Sequence, residues 1–135
     1  MDRIWHSLYK EAKNRINTKE IPPFIEYGSN SCAILTTKNN IYTGTSIISN
    51  TNLNSTAERS AITNMLNNGE SQITRIVILN ELEELIKPST DCLECLLELG
   101  TEFGGIDILL DAKDGTTAKL IDVVPPWWGT YRNKK

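Results

Sequence analysis

The chain has no apolar run long enough for a secretory signal or a membrane span; Met1 leads through Asp2 and Arg3 straight into an amphipathic stretch. No membrane association and a cytoplasmic location are therefore expected. An excess of positive charge is missing too. With 14 basic and 17 acidic residues the net charge is -3 and no basic stripe exists, which excludes the electrostatic footprint of a nucleic-acid binder and favours a small-molecule partner. Cysteine is scarce: 3 residues in a chain of cytosolic character do not make a disulfide framework, and a close Cys-x-x-Cys pair there reads as metal-binding or redox-active. Internal repeats and low-complexity tracts are also absent. What is present, 135 residues with 39% hydrophobic content, suffices for one real core and is too short for two ordinary domains, so residues 1–135 are read as a single domain.

Ile4, Leu8, Ala12 and Ile16, with Trp5 beside them, recur at helical spacing and predict an amphipathic first helix that stops near Asn17. After Pro22 and Pro23 an irregular stretch is expected to Ser31, followed by a hairpin from Cys32–Thr37 and Ile41–Thr43 around Lys38-Asn39-Asn40. A polar loop over Asn50–Asn54 precedes a helix from Thr56 to Asn67, which Asn68 and Gly69 close. Ile73–Leu79 and Ile106–Leu110 are short, apolar and β-branched, hence buried strands; Thr117–Ile121 is a last strand after the Asp114-Gly115 turn. Between the two buried strands, an acidic connection with the solvated Glu81–Glu84 cluster leads to a helix that starts at Cys92, with Asp91 as its N-cap. This order predicts an α/β fold in three layers, a mixed five-stranded sheet with helices on both faces.

Two helix starts carry the chemistry. Cys92 and Cys95, three apart at a helix N-terminus, lie on one side and point to the end where free N–H groups favour thiolate, so the pair reads as a metal grip, with a thioredoxin-like redox site or a merely buried pair as alternatives. Ser55-Thr56-Ala57-Glu58 matches a capping box, in which Glu58 reaches back to its own helix start; taken alone, that is the simplest reading. Cys32 falls within a strand and reads as core, and His6 as a solvated helix residue. Trp127 and Trp128 read as packing anchors or an oligomer contact, or as a stacking surface for a ligand.

Taken together, four segments resemble the cytidine deaminase superfamily, including its blasticidin S deaminase-like members. Cys32 to Gly44 is similar to the family hairpin that ends in Ile-Tyr-Thr-Gly; Thr56-Ala-Glu-Arg-Ser-Ala-Ile62 to Cys-Ala-Glu-Arg-Thr-Ala-Ile; Asp91-Cys-Leu-Glu-Cys95 to Pro-Cys-Gly-x-Cys; and Val124-Pro-Pro-Trp-Trp-Gly129 to the closing Leu-Pro-x-x-Phe-Gly. The resemblance implies the cytidine deaminase-like fold, zinc held by Cys92 and Cys95, Glu58 as proton shuttle, and Arg59 hydrogen-bonded to a ligand thiolate. It also implies a nucleoside-like substrate and a homo-oligomer, dimer or tetramer, in which Trp128 approaches a neighbouring subunit's site. Thr56 stands where the family has the first zinc ligand, cysteine or histidine. Ser46 and Ile48 stand at the family's ribose-binding Asn-x-Glu, and its pyrimidine-packing phenylalanine falls near Gly28. Two functions are therefore expected to compete: a divergent zinc-dependent hydrolytic deaminase of a cytidine-like nucleoside, base or related small amine, and a catalytically inactive deaminase-fold protein serving as a binding or assembly subunit.

Overall fold

A computed structural model of the chain describes residues 2–21, 25–49 and 55–123. Helix α1 spans Arg3–Arg15; its N-cap Asp2 accepts from the Trp5 amide at 2.8 Å, and Lys13 and Arg15 sit in the last turn where the helix dipole favours cations. The buried stripe is Trp5, Leu8 and Ala12, with Ile16 packed against it, as expected except that Ile4 is 39% exposed and Trp5 takes its place. At the helix start Asp2 also pairs with Arg75 at 3.0 Å, and the Arg75 guanidinium stacks over the Trp5 ring 5.0 Å from its centroid.

The strands are β1 (Lys19–Ile21), β2 (Ile25–Thr36), β3 (Ile41–Ser49), β4 (Ile73–Leu79), β5 (Asp107–Leu109) and β6 (Thr117–Lys119). Residues Ser31 to Leu35 of β2 pair with both β3 and β4, so those two strands flank it, both antiparallel to it and hence parallel to each other. Beyond β4 come β5, parallel, and β6, antiparallel, which completes the mixed five-stranded sheet β3-β2-β4-β5-β6. The short β1 adds a sixth strand against the first residues of β2. Helices α2 (Ala57–Asn67) and α3 (Thr90–Glu98) lie on the opposite face from α1, and the last turn of structure is α4 (Leu120–Val123). No helix among the described residues is long and apolar enough to cross a membrane.

Alternation along the central strands sorts the core into two layers. Cys32, Ile34, Ile76 and Ile78 point to α2 and α3, where they meet Ala61, Ile62, Met65, Leu93, Leu96 and Leu97. Ala33, Leu35, Val77 and Leu79 point to the α1 stripe. The two-sided burial explains why β2 and β4 read as continuous apolar runs there. Gly44 sets the approach of α2 to the sheet: a Cβ at that position would lie 2.3 Å from the Ala61 amide nitrogen and 2.5 Å from the Ala57 carbonyl oxygen, so helix backbone rests directly on β3.

Several boundaries differ from the sequence expectation. β2 begins at Ile25, inside the stretch read as irregular, because a register shift between Tyr27 and Ser31 breaks the alternation. The hairpin strand β3 runs on to Ser49. α3 begins at Thr90 with Ser89 as N-cap, which makes Asp91 the second helical residue and not the cap. β6 ends at Lys119 because buried Leu120 turns the chain into α4.

Candidate functional site

Since β3 and β4 are parallel, their carboxyl ends lie at the same end of the sheet, and the helices that follow them, α2 and α3, start there on the same face. Such an end is the usual place for a ligand on an open α/β sheet. The start of α2 is fixed by a backbone pair between Ile47 and Ser55, with both N–H···O distances 2.9 Å. Thr56 then takes the extended backbone of an N-cap, and its Oγ1 accepts from the Arg59 amide at 3.2 Å.

That cap overturns the capping-box reading based on Ser55. With the cap at Thr56, Glu58 is the second helical residue and does not reach back. Its Oε2 accepts instead from the backbone amide of Ser89, the N-cap of α3, at 2.9 Å across a separation of 31 residues. The carboxylate is 4% exposed and faces the N-terminal ends of two helix dipoles. The Ser89 hydroxyl beside it is buried with no hydrogen-bond partner.

Cys92 lies in the first turn of α3, 4% exposed, and its Sγ is 2.9 Å from Thr56 Oγ1. Cys95, one turn further on, is exposed; partial burial raises its thiol pKa first, the neighbouring Cys92 and Glu98 raise it further, and Arg59 opposes them. Cys32 lies beneath, fully buried on β2, its pKa pushed well up by burial and then by Glu58 and Cys92. Thr56, Glu58, Arg59, Cys92 and Cys95 are thus brought together from two helix starts. Arg59 is exposed. His6 sits on α1, across the sheet. Trp127 and Trp128 lie outside the described residues.

The expected zinc makes a specific demand on this geometry. Tetrahedral zinc with arms of about 2.3 Å to sulfur and about 2.1 Å to oxygen holds the two ligand atoms about 3.6 Å apart. Thr56 Oγ1 and Cys92 Sγ are closer, at 2.9 Å, and share a proton in a direct hydrogen bond. Among the described residues no three His, Cys, Asp or Glu side chains are grouped to hold a metal ion. Two thiols and an already hydrogen-bonded neutral hydroxyl do not complete a catalytic zinc site.

Ser46 and Ile48 line a recess of about 270 Å³ with Glu26, Ser29 and Asn30 of β2 and with residues 80–82 beyond β4. Ser46 and Ile48 follow Gly44 at every second position, which puts them on the α2 face, and Ile48 is paired in register with Glu26. The recess therefore shares both face and sheet end with Glu58 and Cys92. Its β2 wall and Ser89 were not foreseen: the bulge hides the register of Glu26, and no local pattern signals that the Ser89 amide meets Glu58.

Three comparisons with known proteins bear on this arrangement. No known family profile matches the sequence, and no curated protein does either. Solved structures do match. The cytidine deaminase from Mycobacterium leprae aligns at a TM-score of 0.73 and 18% identity, covering 92% of this chain and 99% of that one. The cytidine deaminase from Burkholderia pseudomallei aligns at 0.70 and 22% identity over 93% and 98% of the two chains. That from Bacillus anthracis aligns at 0.68 and 21% identity over 98% and 95%. The chain has the cytidine deaminase fold.

Proposed function

We propose that this chain is a deaminase-fold protein that binds a nucleoside- or base-like small molecule where α2 and α3 begin, and that it serves as a binding or assembly subunit because its zinc site is incomplete. The observation that carries this reading is the donor set at the two helix starts: a neutral Thr56 hydroxyl, hydrogen-bonded to Cys92 at 2.9 Å, stands beside the thiols, and among the described residues no three His, Cys, Asp or Glu side chains are grouped to hold a metal ion. The open recess at the same end of the sheet supports a small-molecule role. On this proposal the 135 residues act as one cytoplasmic domain and assemble with copies of themselves, as the sequence resemblance implies.

A second reading, a divergent hydrolytic deaminase acting on a cytidine-like nucleoside, base or small amine, is favoured by Glu58. A buried carboxylate at a helix junction, accepting from the Ser89 amide, supports this reading, because proton transfer needs such a group close to the ligand. The two readings separate on zinc content and ammonia release, measured on protein expressed with zinc and dialysed against a mild chelator. Well under one zinc per chain and no ammonia from cytidine, deoxycytidine, cytosine or adenosine is the expected result. Close to one zinc per chain, with ammonia release that Glu58→Gln abolishes, overturns the first reading in favour of the second.

A further inference from the structure

The junction of α2 and α3 holds a second chemistry in its thiols. All three cysteines of the chain are free, and access to them is graded: Cys32 is 0% exposed beneath the site, Cys92 is 4% exposed beside Thr56, and Cys95 is exposed at the surface. Cys92 stands between the other two, close enough to each for their charges to interact.

Cys92 and Cys95 are three residues apart within α3, which puts their Cα atoms about 5 Å from each other, inside the span of about 4.4–6.8 Å that a disulfide bridges. Their Cβ atoms, about 5–6 Å apart on a regular helix, must close by about 1–2 Å. The start of α3 can yield that much. Its N-cap Ser89 makes no side-chain hydrogen bond to the helix and its hydroxyl is unpartnered, so a shift of the first turn breaks no side-chain cap. Cys92 gives up one hydrogen bond, the 2.9 Å contact with Thr56 Oγ1, while Thr56 keeps its bond from the Arg59 amide. Cys32 is worse placed, because its backbone lies within β2 between Gly44 of β3 and Ile78 of β4.

We propose that Cys92 and Cys95 are a dithiol that low-molecular-weight disulfides such as oxidised glutathione convert into an intramolecular disulfide. This modification site goes beyond the binding role above and stands or falls without it. Exposed Cys95 reacts first: its Sγ loses a proton and attacks one sulfur of the small disulfide, whose S–S bond breaks to release one thiol. Cys92 Sγ then loses its proton and attacks Cys95 Sγ, which displaces the second thiol. Two protein thiols are oxidised and one small disulfide is reduced to two thiols. Closing the bond draws Cys92 away from Thr56 and so loosens the tie between α2 and α3. The burial that raises the Cys95 pKa slows the first step, so equilibrium and not rate is the readout.

The full chain, equilibrated without air in buffers of graded reduced-to-oxidised glutathione ratio, is alkylated and its free thiols counted by mass, with the bond located in peptide digests. As the oxidised share rises, wild type should fall from three free thiols to one, carry no glutathione, and show the bond between Cys92 and Cys95. Cys92→Ser should stop at a glutathione adduct on Cys95, and Cys95→Ser should take up none, since its remaining thiols are buried. Three thiols that persist in the most oxidising buffer, a stable adduct on wild-type Cys95, or a bond mapped to Cys32 would each overturn the proposal. The wild-type map decides the pairing by itself, whether or not the variants fold.

Discussion

Replacing Thr56 by cysteine should reverse the effect of zinc on stability. In the native chain Thr56 caps α2 through the Arg59 amide at 3.2 Å and bonds Cys92 Sγ at 2.9 Å. Cysteine is a poor N-cap, so without metal Thr56→Cys loses about 1 kcal/mol. For 135 residues that lowers Tm by about 2–6 °C. With zinc, the introduced thiol joins Cys92 and Cys95 at the two helix starts, and a metal that binds only the folded chain adds about 2.7 kcal/mol at a hundredfold excess over its Kd. The loaded variant should then exceed the native chain by about 1.7 kcal/mol, the difference between these terms. Melting curves followed by circular dichroism at graded zinc, with chelator as the reference, read both effects. A native chain that gains as much from zinc as the variant would refute the argument, since Thr56 would then complete the site unaided. So would a variant that ignores zinc, which would mean that Cys92 and Cys95 are not placed to join a third thiol.

The remaining predictions concern two carboxylates. Glu58→Ala should cost about 1–3 kcal/mol because it strands the Ser89 amide, whereas Glu58→Gln keeps an oxygen acceptor and should cost less than half as much; equal losses in urea titrations would show that Glu58 does not hold α3. Glu70, after α2, is held below its ordinary pKa by hydrogen bonds from Thr36, Tyr42 and Asn40, the last two at 2.5 and 2.8 Å. Its folded pKa lies below its unfolded one, so its contribution is fully present above the unfolded value of about 4.3 and is lost as pH falls through the folded value. Tyr42 has the opposite sign: the same bond to Glu70 raises its pKa, and its contribution is lost only as pH rises through that raised value. Thermal melts from pH 3 to 7 should therefore show a steeper acid loss in wild type than in Glu70→Gln, and parallel curves would refute the assignment.

Both helices of the site were legible as helices, and Asn68 and Gly69 stop α2 where expected, but their caps were not: Thr56 and not Ser55 caps α2, and Ser89 and not Asp91 caps α3. The buried strands β4 and β5 were legible because two-sided burial leaves an unbroken apolar run, Ile73–Leu79 above all. The first half of β2 was not. Glu26, Ser29 and Asn30 face a recess, and the bulge after Tyr27 shifts the register, so neither apolar content nor period-two alternation marks them as strand.

The sequence by itself determined which chemistry was available to the site: one glutamate, two thiols and a hydroxyl at two helix starts, with no third zinc ligand of the usual kind. Only the tertiary structure decided how those groups are spent. Glu58 could serve its own helix or another, and the convergence of α2 and α3 on one sheet end gave it to Ser89. The same convergence brought Thr56 and Cys92 to 2.9 Å, close enough to bond each other. Contacts between groups 31 and 36 residues apart depend on strand order and helix placement, which no local pattern encodes.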